Sequence, residues 1–261
     1  MHEPTWSVPS AQRREIIEHL TGIHPDGQHP PAITARGQGG KFLPDGTVLP
    51  FPGNTFICHL DRKSAFYAAL CDMQDGLKAM PHADHFTFLP QPSFHMTIFC
   101  GISGSPLGSD GWPNDLSRDA TLETITATFR DSLAQEQGPD GFSVIATGLM
   151  LPTTIEMGPA SPQDAEKLLN MRRKLQDLTG IYRPDFKSYQ FHVGMAYLTQ
   201  WLSPDNVEQV MITAEQLFEQ FLGKIGQIEL GLVEFCTFET MHHFEPLGTL
   251  GNNGFTPVSK G

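Results

Sequence analysis

Cysteine is scarce and dispersed in this chain. Cys58, Cys71, Cys100 and Cys236 form no CxxC pair and lack the density of a secreted disulfide scaffold, so they read as small apolar filler rather than redox or metal groups. Long apolar runs are missing too: nothing approaches the ~20 residues of a membrane span. The opening stretch, MHEPTWSVPSAQRREIIEHL, lacks the charged segment followed by an apolar run that marks a secretory signal. A soluble, cytoplasmic protein without a membrane partner is expected. Positive charge is also short. Lys and Arg number 17 against 29 Asp and Glu, a formal net charge of −12, which argues against holding long nucleic acid by neutralising many phosphates. A small phosphorylated ligand in a local basic pocket remains compatible with that balance.

What is present suits a globular fold. Of 261 residues, 39% are hydrophobic and 18% charged, unlike the profile of a disordered chain. A short helical pattern over residues 1–20 gives way to a stretch punctuated by Gly and Pro up to Gly53 (HPDG, HPPA, RGQGG, LPDG, FPGN). So long an irregular segment beside a compact domain is either a partly disordered lead or an arm that covers a site, and the arm is the expectation here; the helix and the arm together make residues 1–54.

From Thr55 the pattern becomes regular. TFICHL reads as a strand, DRKSAFYAALCDMQDGLKAM as a helix with Asp61 near its cap, HFTFL and SFHMTIFCGI as strands, DATLETITATFRDSLAQ as a helix and FSVIATGLML as a strand. The order then begins again. The strand TTIEM precedes the helix QDAEKLLNMRRKLQDL, for which Ser161 before Pro162 is a natural N-cap. The strand YQFHVGMAYL, the helix PDNVEQVMITAEQLFEQFL and the closing strands IGQIELGLVEFCTFET and MHHFEPL follow. Phe94-His95 and Phe191-His192 fall at corresponding places, 97 residues apart. This predicts an α+β, bilobal fold: two related lobes, each an antiparallel-rich sheet with helices on its outer face, set about a pseudo-twofold axis and a central groove. The lobes are expected at residues 55–151 and 152–250, with a tail over 251–261.

Alternation along a strand puts His95 and Thr97 on one face and Phe94, Met96 and Ile98 on the other. His192 shares its face with Gly194 and Ala196, opposite Phe191, Val193, Met195 and Tyr197, so Tyr197 is assigned to packing unless a bulge turns it. An axis between the two strands would aim both imidazoles into one cleft, where one donates and one accepts a proton in the same turnover.

FHMTIF and FHVGMA resemble the paired His-x-Thr motifs of the two-histidine (2H) phosphoesterases, which include 2′-5′ RNA ligases and cyclic nucleotide phosphodiesterases. Together with KFLPDGTVLPFPGNTFICHL, the resemblance spans roughly residues 38–250 and points to an uncharacterised subgroup. It implies a bilobal fold, catalysis by His95, His192 and Thr97 without metal or cofactor, and action on a 2′,3′-cyclic or 2′-5′ phosphoester of a nucleotide or RNA end. Gly194 stands where the second Thr of the family would be. The main alternative is a module that binds a phosphorylated small molecule or RNA terminus without turning it over.

Other side chains are weaker candidates. Arg183 and Lys187, in YRPDFKS, and Lys41, in the arm, are cations that could meet phosphate or base, and His59 could line the same groove. His82 and His85, or the adjacent His242 and His243, would suit a metal-dependent hydrolase, but the first pair lies in a loop and neighbours on a strand point apart.

Overall fold

In the computed structural model, the described residues are 10–22, 29–108 and 111–258. HPDG at residues 24–27, much of the N-terminal helical pattern and the last three residues lie outside them. The elements run α1 (Ser10–Thr21), β1 (Gly53–His59), α2 (Ala65–Lys78), β2 (Phe86–Phe88), β3 (His95–Ser103), α3 (Leu122–Leu133), β4 (Phe142–Leu151), β5 (Thr154–Pro159) and α4 (Pro162–Thr179). After these come β6 (Phe191–Gly194), β7 (Ala196–Leu198), α5 (Pro204–Phe221), β8 (Ile228–Leu230), β9 (Val233–Thr240), β10 (His243–Gly251) and β11 (Gly254–Pro257).

Local chemistry explains the helix starts. Ser64, Thr121, Ser161 and Ser203 each sit in extended backbone and accept a hydrogen bond from the N–H three residues on. Ser64, not the expected Asp61, caps α2. The Asp61 carboxylate instead accepts from the Lys63 N–H at 3.0 Å and so shapes the turn before the helix. Gly180 ends α4 in the left-handed conformation that a residue without Cβ adopts freely (φ 65°).

Two antiparallel sheets carry the fold, in the orders β11-β10-β9-β1-β3 and β6-β5-β4-β8, with β2-β7 as a separate ladder. The triplets β9-β1-β3 and β4-β5-β6 share an antiparallel arrangement, though not a chain order, and each ends on a histidine strand. This is the expected bilobal α+β architecture, but the sheets do not divide at residue 151. β4 leaves the first half to pair with β5, and β9 and β10 return from the second half to extend β1. The second sheet therefore takes β4 from the first half of the chain, and the first sheet takes β9 and β10 from the second. Within the expected tail, Gly254–Pro257 form β11 against β10.

The core lies between the sheets and their helices. On the first sheet Phe56 stacks on Phe235 at 4.7 Å between centroids, with Phe99 and Phe129 of α3 packed around them. Behind the second sheet, Ile155 and Val193 meet Leu168, Met171 and Leu175 of α4 in the same buried cluster. The arm is anchored rather than loose: Phe42 is fully buried, bridges both Ile33 and Val48, and packs on Tyr197 at 5.1 Å.

Candidate active site

β3 and β6 are edge strands of different sheets that face each other without pairing. His95 and Thr97 are half-buried while Met96 and Ile98 are fully covered, as strand alternation requires. On β6, His192 and Gly194 are half-buried and Val193 is covered. A cavity of about 560 Å³ between the sheets is lined by His95, Thr97, His192 and Gly194 together. That is within the ~300–1,000 Å³ range of sites that enclose a small ligand.

The two histidines are held alike. Nδ1 of His95 lies 2.7 Å from the Ser93 carbonyl oxygen, and Nδ1 of His192 lies 2.9 Å from the Gln190 carbonyl oxygen, in each case two residues back. A carbonyl only accepts, so each Nδ1 is the protonated nitrogen and each Nε2 is left for chemistry. Burial holds His95 down to about 4; the Ser93 carbonyl opposes that shift, whereas the nearby His59 and His192 add to it. His95 is therefore neutral at pH 7, with its Nε2 lone pair available as an acceptor.

Irregularities in both strands place residues that simple alternation misassigns. β3 slips by one residue against β1 between the Phe56–Phe99 and Ile57–Thr97 pairs, so Cys100 and Ser103 join Thr97 along the cavity. Cys100 is thus a lining residue and not only filler. The second histidine strand breaks at Met195, whose N–H donates to the Thr153 carbonyl at 2.8 Å while its own carbonyl accepts from Leu89 N and Gln74 Nε2. Beyond the break the chain leaves β5 and pairs with β2, which brings Tyr197 as well as Ala196 to the cavity wall.

Tyr189 was not anticipated. It lines the cavity, hydrogen-bonds Thr97, and packs beside His192 at 6.2 Å between centroids; burial pushes its hydroxyl well above the ordinary range. Arg172 lies beneath it, 4.2 Å from the Tyr189 ring centroid and donating to the Ile98 carbonyl at 2.7 Å. Its guanidinium has no carboxylate within ion-pair distance among the described residues, so a buried positive charge sits behind β3. Only the absence of a signal precedes these two residues in the sequence: Arg172 reads as one more helix charge and Tyr189 as the end of a turn.

The weaker candidates separate. Lys41 lines the cavity and donates to the Tyr197 hydroxyl at 3.2 Å. Arg183 instead donates to the Gly101 carbonyl at 2.6 Å, which caps the open edge of β3 from behind, and Lys187 is exposed on the turn; neither lines the cavity. His59 is paired across from His95, with ring centroids 6.2 Å apart, but its Nδ1 is engaged by Glu234 at 2.8 Å and it too stays off the cavity wall. Gly194 faces open space: a Cβ there would meet no atom within 4 Å.

Metal-ligand side chains do not gather at the two histidine pairs. His82 and His85 stack edge to face at 5.9 Å, and His82 Nδ1 is engaged by Asn206 at 3.5 Å. His242 packs on Phe42 while His243 pairs with Glu245. Among the described residues, the set with three donor groups close together is His59, Glu234 and Cys236. There burial raises the Cys236 thiol, which favours the protonated form over a thiolate ligand.

Residues 41–155, the segment bearing His95 and Thr97, match the family model described as 2H-phosphodiest, domain of unknown function (DUF1868). The crystal structure of a conserved protein of unknown function from Agrobacterium tumefaciens str. C58 is 27% identical and superposes with a TM-score of 0.81, over 93% of this chain and 99% of that one. LigT of E. coli, in a structure titled as complexed with phosphate, is 10% identical with a TM-score of 0.43, over 77% of this chain and 99% of that one. No curated protein matches the sequence. No helix among the described residues is long and apolar enough to cross a membrane.

Proposed function

We propose that the chain is a metal-independent phosphodiesterase that opens a 2′,3′-cyclic or 2′-5′ phosphodiester of a nucleotide or RNA end. One observation carries the reading: two imidazoles lining one cavity, each with Nδ1 fixed by a backbone carbonyl two residues back and Nε2 free. Neutral His95 takes a proton from water as its oxygen bonds to phosphorus. His192, as imidazolium, gives its Nε2 proton to the ribose oxygen as the P–O bond breaks. The Thr97 and Tyr189 hydroxyls serve the non-bridging oxygens, and the buried Arg172 charge supports the anion from behind. The overall acidity of the protein is no obstacle, because the positive charge is local to the groove.

Gly194 favours a second reading, a binding module that has lost turnover along with the second hydroxyl. A panel of 2′,3′-cyclic nucleotides and 2′-5′ dinucleotides assayed in chelator separates the two. Turnover in chelator is expected; tight binding of the matching monophosphates with no turnover of any member would replace the enzyme with the binding module.

A further inference from the structure

The His95 ring is gripped more closely than that of His192. Besides the Ser93 carbonyl, it meets the Phe244 ring of β10 at 4.3 Å between centroids and, edge to face, the His59 ring at 6.2 Å. The His192 ring has Tyr189 as its ring neighbour among the described residues. His59 closes β1 directly across from His95, the first residue of β3, so the backbone ladder itself sets the two imidazoles side by side on one face of the sheet.

His59 is in turn fixed by Glu234 of β9. One carboxylate oxygen accepts from the His59 backbone N–H at 3.2 Å and the other from its ring Nδ1 at 2.8 Å, a two-point clamp that sets the strand end and the ring together. The backbone partner of Glu234 is Ile57, so its side chain reaches two residues along β1 to make this clamp. Burial keeps the neighbouring Cys58 and Cys236 thiols protonated, and the Glu234 charge adds to that, so the ion-pair partner of the carboxylate among the described residues is His59. Neither His59 nor Glu234 lines the cavity, so any effect on the reaction passes through His95. Burial comes first in holding His95 neutral, and the Ser93 carbonyl opposes it. Of the titratable groups facing it, His59 from β1 and His192 from β6 add to the burial, while Glu234 from β9 opposes, more weakly than His59 acts.

We infer that His59 and Glu234 are positioning residues for His95: Glu234 locks the His59 ring, and His59 with Phe244 holds the His95 imidazole on the Ser93 carbonyl with Nε2 left to the cavity. The inference rests on the reading of His95 as the base and adds the residues that set that base.

The test uses the full chain, steady-state hydrolysis of a 2′,3′-cyclic nucleotide across pH, and NMR titration of the His95 ring. His59→Gln should lower kcat about 10-fold at pH 7 with KM held within about 2-fold, because a shifted ring loses reach while the substrate contacts remain. It should also move the His95 titration and the acid limb of kcat/KM upward by about half a pH unit or more, since one supporting charge is gone and the carboxylate is left unopposed. Adding Glu234→Gln to that variant should bring part of the movement back, a reversal that simple loss of packing does not produce. Glu234→Gln alone keeps the size of the side chain but leaves one of the two His59 donors without an acceptor; it should lower kcat by about 5- to 10-fold, and it serves if His59→Gln does not fold. An unchanged His95 titration in His59→Gln, kcat within about 2-fold of wild type in both single variants, or a raised KM with kcat held overturns the inference. A wild type that turns over no cyclic nucleotide, while His59→Gln still moves the His95 titration, would sink the catalytic reading and leave the positioning of His95 standing.

Discussion

Gly194→Thr should make the protein both more stable and faster. A Cβ at this position meets nothing within 4 Å, and the residue pairs directly across from Thr154, so the new side chain enters open groove beside a matching Thr. Replacing a strand glycine by a β-branched residue removes backbone entropy from the unfolded chain and adds a favourable cross-strand pair, together about 0.5–1 kcal/mol. The added hydroxyl shares its face with His192 as Thr97 does with His95. If it reaches a phosphate oxygen in the transition state, a hydrogen bond to a charged group worth ~1.5–3 kcal/mol corresponds to about 10- to 100-fold in kcat. Urea denaturation and steady-state hydrolysis of a 2′,3′-cyclic nucleotide measure the two effects separately. A kcat that falls tenfold in a protein whose midpoint has held or risen would refute the reasoning: the space at Gly194 would then be needed by the substrate itself.

Other consequences follow from the same structure. Because His95 titrates near 4 when folded against an ordinary 6.5, the unfolded chain binds the extra proton between those values. Stability should therefore rise from pH 4 to 6.5 and level above it, by about 3 kcal/mol or less, and His95→Gln should flatten that rise in urea titrations at pH 4.5 and 7. The acid limb of kcat/KM should likewise lie well below pH 6, since a neutral His95 is the base; a limb near 6.5 would assign the base elsewhere. Arg172→Leu strands the Ile98 and Phe186 carbonyls and strips the packing over Tyr189, which should cost about 2–4 kcal/mol in chemical denaturation. A loss under about 0.5 kcal/mol would show that Arg172 is not part of the buried framework.

Much of this was legible in the sequence because it depends on period and order. Alternation alone assigns His95 and Thr97 to one face, the 97-residue spacing of the Phe-His pairs relates the two groove strands, and Ser161 before Pro162 marks a helix start. What escaped depends on long-range contacts. The break at Met195 is made by Gln74 and Leu89 from the other half of the chain, and it turns Tyr197 from packing to lining. The slip opposite Phe56 brings Cys100 to the groove, and nothing in SFHMTIFCGI announces it. Strand exchange between lobes is equally silent, because β4 and β9 look the same in sequence whichever sheet receives them. Arg183 and Lys41, both cations in irregular segments, could be told apart only once one was seen to cap β3 and the other to enter the cavity.

The most direct test of the account is turnover of a 2′,3′-cyclic nucleotide by wild type, His95→Ala and His192→Ala in chelator, with product binding measured in parallel. Each substitution should lower kcat by about 10²–10⁴ while affinity for the monophosphate stays within a few-fold. Full turnover by either variant, or activity lost to chelator in the wild type, would contradict a metal-independent pair of histidines.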